Sequence, residues 1–582
     1  MTFLPVVERE LRVAARKRST FRIRILAAAI ALTIGFGIML ITRLSGVTTA
    51  QLGTALFSTL TWLCLGAALS GGLFYTSDCL SEEKREGTLG LLFLTDLRGH
   101  DVVLGKLLAT SLRGFYAMLA VFPVLAVTML MGGVTGAQFW KASLALVNAL
   151  LCSLAAGMLV SSLSRDSQKA MGTAFLVLLL MLGGTTLADF FIRKIWGPFS
   201  VPFFDLLNPA YVFAEASAWG KSAYWRGLGL NLAGCGALLI LTSLLVPRTW
   251  QERSRKPAAT HRAYVARYGS DRRRVVLRRK LLERDPVLWL GCRERWQSLA
   301  IWTLAILMVL AVGTGVALTL YLGDPFRVVW MGWGSLRGIF FVGLYLWAAS
   351  QAGRFFIDAR RSGLMELLLV GPLPARQIVR GNWRSLLQMF GLPLLLIFAM
   401  NLAGSILSQE VWHGATIKIS GLQPNLAVAI VSSTATTVTT VFNLVALGWF
   451  GMWMGMTSKN NNFATLKTLL FVQIIPWIVI VFSSGILSVL VLMPTFISIS
   501  SKAAGGSNSI ATSMGTWFPL LSVGFSTVMS LAKDAGFIVW ARKRLNFSFR
   551  EQATKDIGFV PVPVAAPLPP PIPAPPVILA NP

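Results

Sequence analysis

The sequence predicts an all-α fold: a polytopic integral membrane protein with about 12 transmembrane helices, arranged as two parallel six-helix repeats. Three observations predict it: uncharged runs of bilayer length, a one-sided distribution of Lys and Arg, and segments that recur in the same order in both halves. Of the 582 residues, 55% are hydrophobic and 13% charged, and a soluble domain carries about twice that charged share. The apolar residues are spread in blocks along the chain, so they do not form one oversized core.

The blocks set the spans. Ile25–Thr42 lies between Arg24 and Arg43, and Ala142–Ser164 between Lys141 and Arg165. Crossing a bilayer takes about 20 apolar residues, and inside lipid every backbone amide must be satisfied within its own segment, which selects helix. Spans are expected near 23–42, 52–77, 112–132, 142–163, 170–189 and 226–247, then near 298–322, 330–353, 386–408, 426–456, 468–492 and 515–540. Residues 1–247 thus form the first repeat and 286–545 the second. Before the first span, MTFLPVVERELRVAARKRSTFRIR reads as a basic amphipathic segment without the small-residue cleavage site of a signal peptide. Residues 248–285, with RRR at 272–274 and RRK at 278–280, form a basic cytoplasmic linker held near the inner leaflet. Residues 546–582 end in VPVPVAAPLPPPIPAPPVILANP, whose prolines favour an extended, disordered tail.

Charge placement orients the spans. The chain carries 53 Lys and Arg and a net charge of +29. With the N-terminus inside, only Arg43, Lys141, Arg193, Lys194, Lys221, Arg226, Arg327, Arg337, Lys418 and Lys502 fall on the outer side; the other 43 fall on the inner side. That is the positive-inside pattern, and it places both termini in the cytoplasm. The basic charge then faces anionic membrane lipids, and nucleic acid is not an expected partner. Five scattered cysteines without CxxC spacing and three loop histidines (His100, His261, His413) offer no disulfide framework and no metal site.

The internal repeat is carried by three matches in the same order. SEEKREGTLGLLFLTDLRGHDVVLGK at 81–106 superposes without gaps on IDARRSGLMELLLVGPLPARQIVRGN at 357–382. This pairs Glu82 with Asp358, Lys84 with Arg360, Arg85 with Arg361, Gly87 with Gly363, Leu91–Leu92 with Leu367–Leu368, and Leu97 with Leu373. GMLVSSLSRDSQ at 157–168 resembles GMWMGMTSKNNN at 451–462, and LPVVERELR at 4–12 weakly resembles DPVLWLGCR at 285–293. An ordered set of matches argues for a duplicated unit, and six spans per unit make the repeat parallel.

The 82–98 segment is the candidate functional element. Leu89, Leu92 and Leu97 with Phe93 can form one apolar side, while Glu82, Glu83, Lys84 and Arg85 are expected in water. An interfacial helix continuous with two spans can transmit a push from a soluble partner, and the glycine permits the turn that leads into it. Its copy at 358–374 has the same layout.

At this point EEKREGTLGLLFLTDLRGHDVVLGK closely resembles the cytoplasmic loop of ABC transporter permeases of the type-two export superfamily. Members typically carry an acidic–basic cluster, E-x-G-T-L-E, a leucine run, T-P, and G-K at the start of span three. The resemblance extends to the basic N-terminal helix, the six spans, and the long outer segment near Asp189–Trp225 with Trp196, Phe199, Phe203 and Phe204. It implies that Glu82, Glu83, Lys84, Arg85, Glu86, Gly87, Leu89, Leu92 and Leu97 couple to a cytoplasmic ABC ATPase. In the second copy the coupling residues are Asp358, Arg360, Arg361, Gly363, Glu366, Leu367, Leu368, Pro372 and Leu373. It also implies that Glu8–Lys17 lies along the inner leaflet. The first copy has Gly90 and Asp96 where the family commonly shows Glu and Pro; the second has Ser362 and Leu364 but keeps Glu366 and Pro372. Unequal ATPase contacts follow from that difference.

No G-x-x-x-x-G-K-[ST] phosphate loop occurs in the chain, so ATP and Mg would be bound by the partner ATPase, in two copies, and no cofactor by this chain. No catalytic constellation can be assembled, so the expectation is a transport permease and not an enzyme. An ion-coupled secondary transporter is the alternative, but the deep spans are nearly uncharged. Arg113, Arg354 and Arg384 are expected to snorkel, and Lys533 with Asp534 to form a local ion pair. A non-transporting membrane scaffold remains a third reading. The resemblance points to a bacterial plasma (inner) membrane.

Overall fold

A computed structural model of the protein describes residues 12, 18–44, 48–94, 97–186, 188–189, 192, 203–216, 221–249, 265, 268, 270–283, 285–322, 333–414, 426–458, 460–492, 494 and 508–555. Among these the chain is helical and has no strand. The first half comprises α1 (Arg18–Leu44), α2 (Thr49–Gly71), α3 (Cys79–Glu86), α4 (Thr88–Leu94), α5 (Gly99–Leu130), α6 (Gly136–Leu163), α7 (Ser167–Leu179), α8 (Phe203–Leu206), α9 (Pro209–Glu215) and α10 (Lys221–Thr249). Then come α11 (Asp271–Leu282), α12 (Pro286–Cys292), α13 (Arg295–Leu322), α14 (Trp333–Arg361), α15 (Leu364–Val370), α16 (Ala375–Gly414) and α17 (Leu426–Thr457). The chain continues through α18 (Asn461–Leu469), α19 (Ile475–Leu487), α20 (Asn508–Phe547) and α21 (Phe549–Lys555).

Among the described residues ten helical stretches are long and apolar enough to cross a membrane, and the protein is a polytopic all-α membrane protein. Helix also forms at the two remaining expected places, α14 and α20, which carry Arg354 and the Lys533–Asp534 pair. Many large apolar side chains, among them Leu32, Phe36, Leu244 and Val528, point outward, as lipid-facing residues do.

Each half is built around one central helix. In α6, 78% of the apolar stretch is buried, and in α17, 67%. Small residues let neighbouring backbones approach these helices closely. A Cβ added at Gly72 would lie 2.0 Å from the Ser153 carbonyl oxygen, and the Gly72 amide donates to Ser153 Oγ at 2.7 Å. In the second half, a Cβ at Gly455 would lie 2.4 Å from the Gly353 carbonyl oxygen. After Gly71 the chain makes a π-helical turn, Gly72–Thr76, before entering α3. Such turns offset one helical register from the next.

Beyond residue 545, helix runs on through α21, where Phe549 is buried edge-on against Phe356. The linker contains the basic helix α11. Phe203 and Phe204 lie exposed on α8. Most of Glu8–Lys17, together with Trp196, Phe199 and the Pro-rich tail after 555, falls outside the described residues.

Candidate functional site

At one end of the bundle, both halves make the same turn. Gly87 ends α3 with φ 73°, and Gly363 follows α14 with φ 72°. This left-handed conformation strains any residue with a Cβ. Each glycine releases a seven-residue helix, α4 or α15. The acidic–basic clusters therefore belong to the ends of the preceding helices, Glu82–Glu86 on α3 and Asp358–Arg361 on α14, and the loop helix is shorter than the sequence suggests.

The two short helices present matching faces. Leu89 and Met365, at the same register, are each 1% exposed and anchor in the core of their own half. Leu92, Leu97, Leu368 and Leu373 pack beside them. On the opposite face, Leu91 and Leu94 are 64% and 79% exposed, and Leu367 and Val370 are 71% and 89% exposed. Glu86, Glu366 and Pro372 are exposed around them. Each loop thus offers an unpartnered pair of aliphatic side chains on a helix whose other side is fixed.

The charged residues expected in water are tied into the protein instead. Lys84 donates to the Ser162 carbonyl and to Thr249 Oγ1 (3.0 Å). Arg360, its register mate, donates to the carbonyls of Gly455 (3.0 Å) and Ser458 (3.2 Å). Both cations thereby satisfy carbonyls at the ends of the central helices, where orphan acceptors gather. Glu83 pairs with Lys106 at 2.8 Å and accepts from Thr88. Arg85 holds Asp78 (2.8 and 3.0 Å) and the Arg165 carbonyl (2.8 Å). Arg361 reaches Asn460 Oδ1 at 3.0 Å and Glu82 of the first half at 3.5 Å.

Directly behind the loops, the halves meet in a buried polar seam. Gln168 Nε2 donates to the carbonyl and hydroxyl of Ser350 at 3.1 and 3.2 Å, and Gln351 Nε2 donates to Gln168 Oε1 at 3.1 Å. Ser167 donates to Asn462 Oδ1 at 3.1 Å, while Asn462 Nδ2 donates to Ser77 Oγ at 3.0 Å. The elements that meet are α7 and the turn after Gly72–Thr76 from one half, α14 and α18 from the other. A polar cleft of about 230 Å³ opens beside the seam, lined by Tyr75, Asp78, Glu82, Lys106, Arg113 and Asn460 among others.

Arg354 does not snorkel. It is 9% exposed, with Glu294 at 2.7 Å, Asp358 at 3.0 Å and Asp166 of the first half at 3.9 Å. Three carboxylates compensate its burial, which a lone guanidinium would not survive. Arg384 is exposed beside Asp285 (3.7 Å), and Lys533 pairs with Asp534 at 2.7 Å.

The sequence motifs contained the seam without revealing it. Gln168 and Asn462 occupy the same final position of the two matched segments 157–168 and 451–462, but their partners lie in distant helices. The polar run that ends each match, SRDSQ at 164–168 and SKNNN at 458–462, was the available signal. Among the described residues no cluster of three or more His, Cys, Asp or Glu could hold a metal. A comparison of the whole sequence with known proteins finds no matching family model and no matching curated protein.

Proposed function

We propose that the chain is the transmembrane permease of an ATP-driven ABC exporter, with both six-span units in one polypeptide and about 12 spans in total. Two cytoplasmic ATPase subunits bind ATP and Mg and dock on the two loops, one per half. The observation that carries this reading is the matched pair of seven-residue helices. Each is released by a left-handed glycine, anchored by a fully buried side chain, Leu89 or Met365, and topped by two exposed aliphatic ones. Such a helix is built to receive a soluble partner on one face and to move its half through the other.

The seam supports the same reading. A pathway between two pseudo-equivalent halves needs a contact that can open and close, and hydrogen bonds between α7, α14, α18 and the turn at Ser77 are contacts that can be exchanged. ATP-driven closure of the ATPase pair would shift both loops and re-sort those bonds. The loop face then lies in the cytoplasm of a bacterial cell, with both termini on that side.

Co-expression with ATPases encoded beside the gene, followed by purification in mild detergent, tests the proposal. A stable complex with two ATPase copies is expected. Reversal of the exposed carboxylates, Glu86→Lys or Glu366→Lys, is expected to weaken it unequally, since only the second loop keeps both Glu366 and Pro372. A chain that binds no ATPase under any condition and moves its cargo with an ion gradient would overturn it.

A further inference from the structure

Beside the loop of the second half lies a pocket of about 450 Å³ that the coupling scheme does not use. Arg376, Arg380 and Trp383 descend one face of α16 at four- and three-residue steps, Trp449 closes the pocket from α17, and Arg542 faces it from α20. The two indoles stack at 5.0 Å with an interplanar angle of 27°, and Arg542 sits 6.0 Å above the Trp449 ring. Gly448 makes the stack possible, because a Cβ there would come within 2.7 Å of Trp383 Cζ3.

The charge in this pocket is uncompensated. No acidic side chain lines it, and among the described residues none of the three arginines has a carboxylate within 4.0 Å. Other arginines nearby are neutralised: Arg384 by Asp285, and Arg354 by three carboxylates. Nor is the arrangement a by-product of the repeat. In the ungapped register the first half carries His100, Leu104 and Leu107 in place of Arg376, Arg380 and Trp383, and Ala155 in place of Trp449.

We propose that this pocket binds a phosphate ester, with Arg376, Arg380 and Arg542 donating to its oxygens and the Trp383–Trp449 stack seating the adjoining carbon chain. Guanidinium forks match phosphate geometry, and tryptophans gather at the membrane interface, where headgroup meets acyl chain. The pocket lies at the end of the apolar helices α16, α17 and α20, within reach of the surrounding leaflet. A phospholipid headgroup and a soluble phosphate ester share this chemistry. Phosphate binding here requires no ATPase at the loops.

The test uses the full chain in phosphatidylcholine nanodiscs, followed by thermal unfolding and native mass spectrometry. Phosphatidylglycerol is titrated into the nanodiscs, and glycerol 3-phosphate is added to solution in a separate arm. Three proteins are compared: wild type, R376Q/R380Q/R542Q, and R272Q/R278Q/R279Q, which removes the same charge from the exposed residues of α11. Saturable stabilisation by phosphatidylglycerol, about tenfold weaker in the pocket variant and unchanged in the α11 variant, is expected for a headgroup site. The same pattern with glycerol 3-phosphate alone would support the pocket with a soluble ligand. Equal weakening in both variants, or no difference from wild type, would overturn the proposal. All three pocket arginines are exposed, so their removal is not expected to unfold the chain; a W383L variant that keeps the arginines gives an independent reading, with weakened phosphatidylglycerol binding expected and unchanged binding counting against the site.

Discussion

Gln168 and Asn462 cross the boundary between the halves in opposite directions, Gln168 to Ser350 at 3.1–3.2 Å and Asn462 to Ser77 at 3.0 Å. Each is the last residue of its matched segment, so two equivalent positions hold one seam from both sides. The amides and hydroxyls are all buried. Little water is available to replace a lost partner, and the bonds gain strength from that exclusion.

Gln168→Leu should therefore lower stability by about 1–3 kcal/mol, the penalty for stranding buried polar groups. Combining it with Ser350→Ala should recover part of the loss, with a coupling of about 1 kcal/mol in a double-mutant cycle. Thermal unfolding in detergent reads both. Strict additivity would remove Gln168–Ser350 as a working contact.

Arg354 gathers Glu294, Asp358 and Asp166 from three parts of the chain. Arg354→Met leaves carboxylates without their cation and should destabilise by about 3–5 kcal/mol. Arg354→Lys keeps the charge but loses the fork that serves Glu294 and Asp358 together, so an intermediate loss is expected. A methionine variant as stable as wild type would mean the cluster contributes nothing.

Nothing lies within 4 Å of a Cβ built at Gly87 or Gly363. Substitution there meets no clash, only the left-handed φ of 73° or 72°. Gly87→Ala and Gly363→Ala should each cost about 1–2 kcal/mol, and Gly87→Asn or Gly363→Asn less, because asparagine tolerates this conformation. If alanine and asparagine variants unfold alike, the turn is not what the glycines supply.

Most of this architecture was legible because its causes are local. Uncharged runs such as Ala142–Ser164 announce helices, and the positions of Gly87 and Gly363 before leucine-rich stretches announce turns. What escaped depends on distant partners. Ser350 lies 182 residues from Gln168, and Ser77 lies 385 residues from Asn462; periodicity carries no such information. Arg354 read as a snorkelling residue because its place at a helix end was visible, whereas its three carboxylates were not. Lys84 and Arg85 read as solvated for the same reason: their acceptors, Ser162 and Arg165, are carbonyls of another helix end.

The short loop helices bury one face and expose the other, and that difference makes the proposed coupling scheme testable. Leu89 and Met365 fill the cores, so Leu89→Ala or Met365→Ala should cost about 2–5 kcal/mol of stability. Leu91, Leu94, Leu367 and Val370 are largely exposed, so replacing them with serine should leave the unfolding temperature nearly unchanged. If these residues meet an ATPase, the serine variants should lose co-purification while remaining folded, because interface energy concentrates in the few apolar side chains that a partner desolvates. The order of effects is the diagnostic point. Stability lost at Leu89 with docking lost at Leu91 and Leu94 means a helix held on one face and read on the other. Docking unchanged in a quadruple serine variant would leave the exposed aliphatic pairs as membrane-facing residues and remove the main support for an ATPase at these loops.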